Sequence, residues 1–104
     1  MAGIPIYKCI RGTAFAKGYP TPEGFTVLKG SIVSSKIGES FELSNRWNYA
    51  LRLKLVAEGI IKDRVFQQDY QFKSASAAAS VVMGLGISGH VAWQETKEVL
   101  DYDV

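Results

Sequence analysis

The sequence is poor in the residues on which most small-protein chemistry depends. A single cysteine, Cys9, excludes an intramolecular disulfide, and a single histidine, His90, excludes a Cys/His metal cluster. No apolar run approaches the roughly 20 residues that a membrane-spanning helix needs. The N-terminus lacks a charged segment followed by an apolar one, so secretion is not expected. There is no Gly-x-Ser-x-Gly elbow to present a serine nucleophile and no Walker loop to cradle a phosphate chain. Gly84-Leu85-Gly86-Ile87-Ser88-Gly89 has the letters of a dinucleotide fingerprint, but it follows an expected helix instead of opening one. A Ser-His-Asp arrangement would hang on His90 alone. Glu95 and Glu98 lie in a solvated charged stretch, and Cys9 sits inside an apolar strand as a small core residue. These absences lead to the expectation of no catalysis, no metal and no cofactor, in a reducing, intracellular and therefore cytoplasmic setting.

What is present suffices for one small domain over residues 1–104, with 47% hydrophobic and 21% charged residues. Charge is uneven along it. Residues 1–73 hold eleven of the twelve Lys and Arg against six of the ten Asp and Glu, a balance of +5. Residues 74–104 hold Lys97 against Glu95, Glu98, Asp101 and Asp103, a balance of −3. Such a division fits a nucleic-acid-facing side with an acidic edge, and it fits equally an ordinary solvated surface.

Ile4–Ile10 alternates as a strand, and a second short strand around 15–19 runs into the punctuated turn Pro20-Thr21-Pro22-Glu23-Gly24. The run 25–33 reads as one long strand. Residues 34–42, polar with few apolar anchors, read as an exposed, mobile loop. From Ser44 the period changes: Trp47, Leu51 and Leu55, with Tyr49, Leu53 and Val56 beside them, predict a helix over 44–58 whose apolar stripe buries Trp47. Arg46, Arg52 and Lys54 fall mostly off that stripe. Gly59 supplies the left-handed stop. Residues 61–66 and 68–72 read as short strands or a hairpin, 75–83 as a second helix, and 90–94 as a strand holding Trp93. The order predicts an α+β fold, mainly one antiparallel sheet with two helices.

The segment Phe72-Lys73-Ser74-Ala75-Ser76-Ala77-Ala78-Ala79 packs a structural transition into a few residues. Ser74 or Ser76 can cap the helix through its hydroxyl, and Ala77 to Ala79 let another backbone approach closely. A helix N-terminus beside Lys73 and two hydroxyls can seat a phosphate, or the serines can serve as caps only. Trp93 reads as core or as a ring that stacks a base.

The run Gly24-Phe25-Thr26-Val27-Leu28-Lys29-Gly30-Ser31, then Leu55-Val56-Ala57-Glu58-Gly59-Ile60-Ile61, then Tyr70 to Ala79 with Trp93, resembles the domain-of-unknown-function family 4357, and the resemblance covers roughly residues 14–100. Members of that family are often appended to GIY-YIG nucleases, and its pattern is similar to the RAMA domain of restriction and methylation systems. The resemblance implies a non-catalytic accessory module of DNA-processing proteins. Ala75 stands where the family usually has proline, and Ser88-Gly89-His90 replaces Asn-Gly-Trp. Neither a Gly-Ile-Tyr nor a Tyr-Ile-Gly tripeptide occurs, so the expectation is a chain that acts alone, oligomerises, or meets a nuclease or other DNA-processing protein in trans. The resulting expectation is a DNA-binding module in which Lys29, Ser31, Lys73, Ser74 and Ser76 contact phosphate, Arg46, Arg52 and Lys54 extend the positive face, and Trp93 can stack. The alternative is a protein-interaction or assembly module in which the same motifs are structural.

Overall fold

The second N-terminal strand alternates, with Ala14, Ala16 and Gly18 buried and the residues between them more open, whereas in the first the buried Ile6 and Cys9 stand three residues apart. The computed structural model describes residues 3–38, 41 and 45–101. β1 (Gly3–Arg11) pairs with β2 (Ala14–Thr21) in the register Tyr7↔Gly18, Cys9↔Ala16 and Arg11↔Ala14, and β2 pairs in turn with β3 (Gly24–Val27). Cys9, Ala14 and Ala16 face the core, whereas Ile10 and Phe15, paired across the strands, remain about half exposed on the outer face.

The remaining elements are α1 (Arg46–Ala57), β4 (Ile61–Lys62), β5 (Val65–Phe66), β6 (Tyr70–Phe72), α2 (Ala75–Met83), α3 (Gly89–Ala92) and β7 (Gln94–Asp101). β6, β3, β2, β1 and β7 form one antiparallel sheet in that order, and β4 and β5 form a hairpin beside it. The fold is therefore α+β, as expected. Pro5 has no amide hydrogen for a ladder; it lies opposite Val99, and the β1–β7 register shifts just beyond it, between Pro5 and Tyr7.

The core lies between the sheet and α2. Val27, Phe25 and Phe72 from the strands meet Ala78, Ala79, Val81 and Val82 from α2, with Leu55 of α1 and Phe66 of β5 closing one side. Burying each large side chain fully is worth about 1.5–3 kcal/mol. The small residues of α2 let it lie close to the sheet, and left-handed Gly84 (φ 69°) ends it. Among the described residues no helix is long and apolar enough to cross a membrane.

Four expectations are corrected. The run 25–33 is not one strand. β3 stops at Val27, the Ser31 amide turns back to Leu28 O at 3.2 Å, and Ile32 resumes only as a bridge to Phe15 and Val65. Residues 90–94 do not begin as a strand. Ser88 O accepts from the amides of Val91 and Ala92, both at 3.1 Å, and this closes the short helix α3, so the strand starts at Gln94.

The 34–42 segment is not wholly exposed, because Ser34 and Phe41 are buried; 39, 40 and 42, like the expected helix start at 44, lie outside the described residues. On α1 the buried face is Arg52 and Leu55, with Asn48 and Leu51 half-buried beside them, whereas Trp47 is 87% exposed. The stripe is rotated from the expected one because the guanidinium of Arg52 finds carbonyl partners inside the protein.

Candidate nucleic-acid interface

Two of the sequence candidates, Lys54 and Lys73, come together. On α1, Trp47, Leu51 and Lys54 stand at i, i+4 and i+7 and share one flank of the helix. Facing them are β6, Lys73 immediately after it, and the first turn of α2. A groove of about 520 Å³ lies between, lined by Trp47, Leu51, Lys54, Tyr70, Phe72 and Lys73, with the amides of Asn48 and Gln71 beside them. Both lysines are exposed, and no acidic residue occurs among the described residues that line the groove.

Its floor is rigid. Phe72 is fully buried and makes edge-on contacts with Tyr70 (4.9 Å) and Phe66 (6.2 Å). Pairing of β6 with β3, through Phe25↔Phe72 and Val27↔Tyr70, fixes where the chain leaves the sheet and hence where Lys73 emerges.

The other candidates are placed elsewhere, and most are occupied. Ser74 caps α2: its backbone is extended and its hydroxyl oxygen accepts from the Ala77 amide at 3.0 Å. The Ser76 hydroxyl accepts from the Gly89 amide at 2.9 Å and so holds α3 against α2. Trp93 is 6% exposed, its ring centre lies 4.4 Å from that of Phe25, and its indole N–H donates to Ala75 O at 2.9 Å. It is a core residue with no free face for a base. A recess of about 370 Å³ over this end of α2 is lined by Tyr7, Pro20, Ser74, Ser76, His90 and Trp93, apart from the lysine groove.

Arg52 does not extend a positive face. It is 7% exposed, and its guanidinium donates to Val81 O at 2.9 Å, to the Ser34 hydroxyl at 3.2 Å and to Ser34 O. Burial, and then the neighbouring charge of Arg64, pull it below the usual guanidinium value. It satisfies carbonyls at the C-terminal end of α2, where the helix dipole favours a cation.

Ser31 is likewise buried. Its hydroxyl accepts from the Lys17 amide at 3.0 Å and donates to Lys17 O at 3.2 Å, filling a ladder position that β3 leaves open. Lys29 is exposed beyond the end of β3, where its amide donates to the Asp69 carboxylate at 2.8 Å. It shares a hollow of about 150 Å³ with Phe15 and Lys17 and does not meet Lys73. Arg46 is exposed in the first turn of α1 but does not line the groove.

Trp47 is the residue that the stripe reading misplaced. No sequence signal placed it outward, because the partners that turn Arg52 inward, Ser34 and Val81, lie 18 and 29 residues away along the chain. Cys9 is fully buried, and burial pushes its thiol up to about 11, which removes it as a nucleophile near neutral pH.

No curated protein and no solved structure matches the chain. The family model described as a domain of unknown function (DUF4357) matches residues 7–101, which takes in every strand and helix from β2 to β7 and most of β1, and the chain therefore belongs to that family.

Proposed function

We propose that this chain is a non-catalytic, nucleic-acid-binding accessory module, with DNA as its ligand, and that Lys54 and Lys73 are its principal phosphate contacts. The observation that carries the reading is the groove in which two exposed lysines flank an exposed tryptophan over an apolar floor. Cations set along a groove attract a phosphate backbone, and an aromatic between them adds contact that does not depend on sequence. The role fits a module that works beside a DNA-processing or restriction-modification enzyme.

A second reading, a protein-interaction or assembly module, is supported by Leu53 and Val56, which leave about half their surface in water on other sides of α1.

A salt-titrated binding series against duplex and single-stranded DNA tests the first reading. Lys54→Ala and Lys73→Ala should each weaken binding to all sequences alike and lower the salt slope by about 1. Lys29→Ala probes the separate hollow, and Lys97→Ala in the acidic C-terminal part is the control. Absence of DNA affinity at low salt, or equal losses from Lys97→Ala and Lys73→Ala, would overturn it in favour of the protein-interaction reading.

A further inference from the structure

Tryptophan is costly to leave in water, since a buried ring removes about 150–250 Å² from solvent. Trp47 is the most exposed large apolar side chain among the described residues, whereas Trp93 is almost wholly buried. The exposure of Trp47 is also specifically placed: the ring stands on the same flank of α1 as Leu51 and Lys54, across a groove from Lys73. The groove of about 520 Å³ falls within the range of small-ligand sites and can take a nucleotide.

We infer that the groove receives an unpaired nucleobase, stacked on the Trp47 indole, with the flanking phosphates held by Lys54 and Lys73. This rests on the nucleic-acid reading above and narrows it from nucleic acid in general to strands with free bases. In a duplex both faces of each base are covered by its neighbours and only edges are offered in the grooves, so an indole can stack only on a base that is single-stranded or extruded. The half-buried Leu51 and Tyr70, backed by the buried Phe72, make an apolar floor that suits the flat ring of a base. Gln71 offers an amide to its edge and Asn48 its Oδ1, the Nδ2 of Asn48 donating to Asn45 Oδ1 at 2.8 Å, and the lysines stand where a strand entering and leaving would carry its charge. The stacking is sequence-tolerant, because every base has a π-face.

The test uses the full chain with an oligothymidylate of about 16 nucleotides and a mixed-sequence duplex of the same length, read by labelled-strand anisotropy and by intrinsic tryptophan fluorescence. Oligothymidylate should quench the emission, and the signal must come from Trp47 because Trp93 is sealed in the core. Trp47→Phe should abolish the quench while keeping affinity within about twofold. Trp47→Ala should weaken single-strand binding about tenfold or more, with an unchanged circular dichroism spectrum, as expected for a side chain that packs on so little. Oligothymidylate binding without quenching, or equal affinity of Trp47→Ala and the unmodified chain for oligothymidylate, would overturn the inference and leave the nucleic-acid reading standing. No binding of either probe at low salt would overturn both.

Discussion

The Nη1 of Arg52 lies 2.9 Å from the carbonyl oxygen of Val81, and this bond ties the middle of α1 to the last turn of α2. The other guanidinium contacts go to Ser34, whose amide in turn donates to Val82 O at 2.8 Å, so one buried cation joins three segments. Arg52→Ala should cost about 3 kcal/mol, because it leaves carbonyls without donors in a buried setting. Arg52→Lys should recover only part of that, since one ammonium cannot span acceptors set for a planar fork. Urea unfolding measures both. If Arg52→Ala unfolds at the same urea concentration as the unmodified chain, the bridging role is wrong.

Loss of the α2 cap has a smaller, defined effect. Ser74→Ala should lower stability by about 0.5–2 kcal/mol by freeing the Ala77 amide. Ser76→Ala should lower it by about 1 kcal/mol through the lost bond to Gly89. Thermal melts of the two variants and their double mutant check this, and an unchanged midpoint for Ser74→Ala would contradict the capping geometry.

The β4–β5 turn holds Asp63 and Arg64 at φ 53° and 67°, the left-handed pair that a two-residue hairpin turn needs. Arg64 pays the side-chain penalty of that region and places a charge near Arg52. Arg64→Gly should therefore stabilise the protein by about 1 kcal/mol, raising the thermal midpoint by about 4–8 °C. A lower midpoint would show that Arg64 makes a compensating contact.

Cys9 gives a pH signature. Its folded-state value of about 11 lies above the ordinary 9.0, so the unfolded chain releases the thiol proton first as pH rises. The stabilisation is fully present below pH 9 and is lost as pH rises toward 11. Unfolding free energies at pH 8 and pH 10.5 should fall more for the unmodified chain than for Cys9→Ala, in which other alkaline groups titrate alike. Equal falls would show that the thiol ionises freely in the folded state.

Local signals carried much of the fold. Gly59 and Gly84 marked helix ends, Ser74 marked a helix start, and the alternation around Cys9 marked a strand, because each acts through its own backbone or its near neighbours. Where the reading failed, distant partners decided. His90-Val91-Ala92-Trp93 has the composition of a strand, yet Ser76, thirteen residues before Gly89, fastens the start of a helix there. Arg52 reads as a surface charge until Ser34 and Val81 are brought to it, and the rotation this imposes on α1 is what turns Trp47 outward. Of the candidate site, Lys54 and Lys73 were legible as separate cations. Their meeting across one groove depends on the packing of α1 against α2, which no local spacing encodes.

The sheet order places β1 between β2 and β7, with Gly3 opposite Asp101 and Lys8 opposite Gln94. During synthesis the β1–β2–β3 meander can assemble soon after residue 27 has emerged, but β1 keeps an open edge until the chain has grown by some seventy residues more and β7 arrives. Over that interval the nascent protein exposes a strand template containing Ile4, Ile6 and Ile10, and Pro5, which cannot donate to a pairing strand, interrupts it near its start. A proline that native pairing accepts beside a register shift thus doubles as a guard against wrong partners before folding is finished.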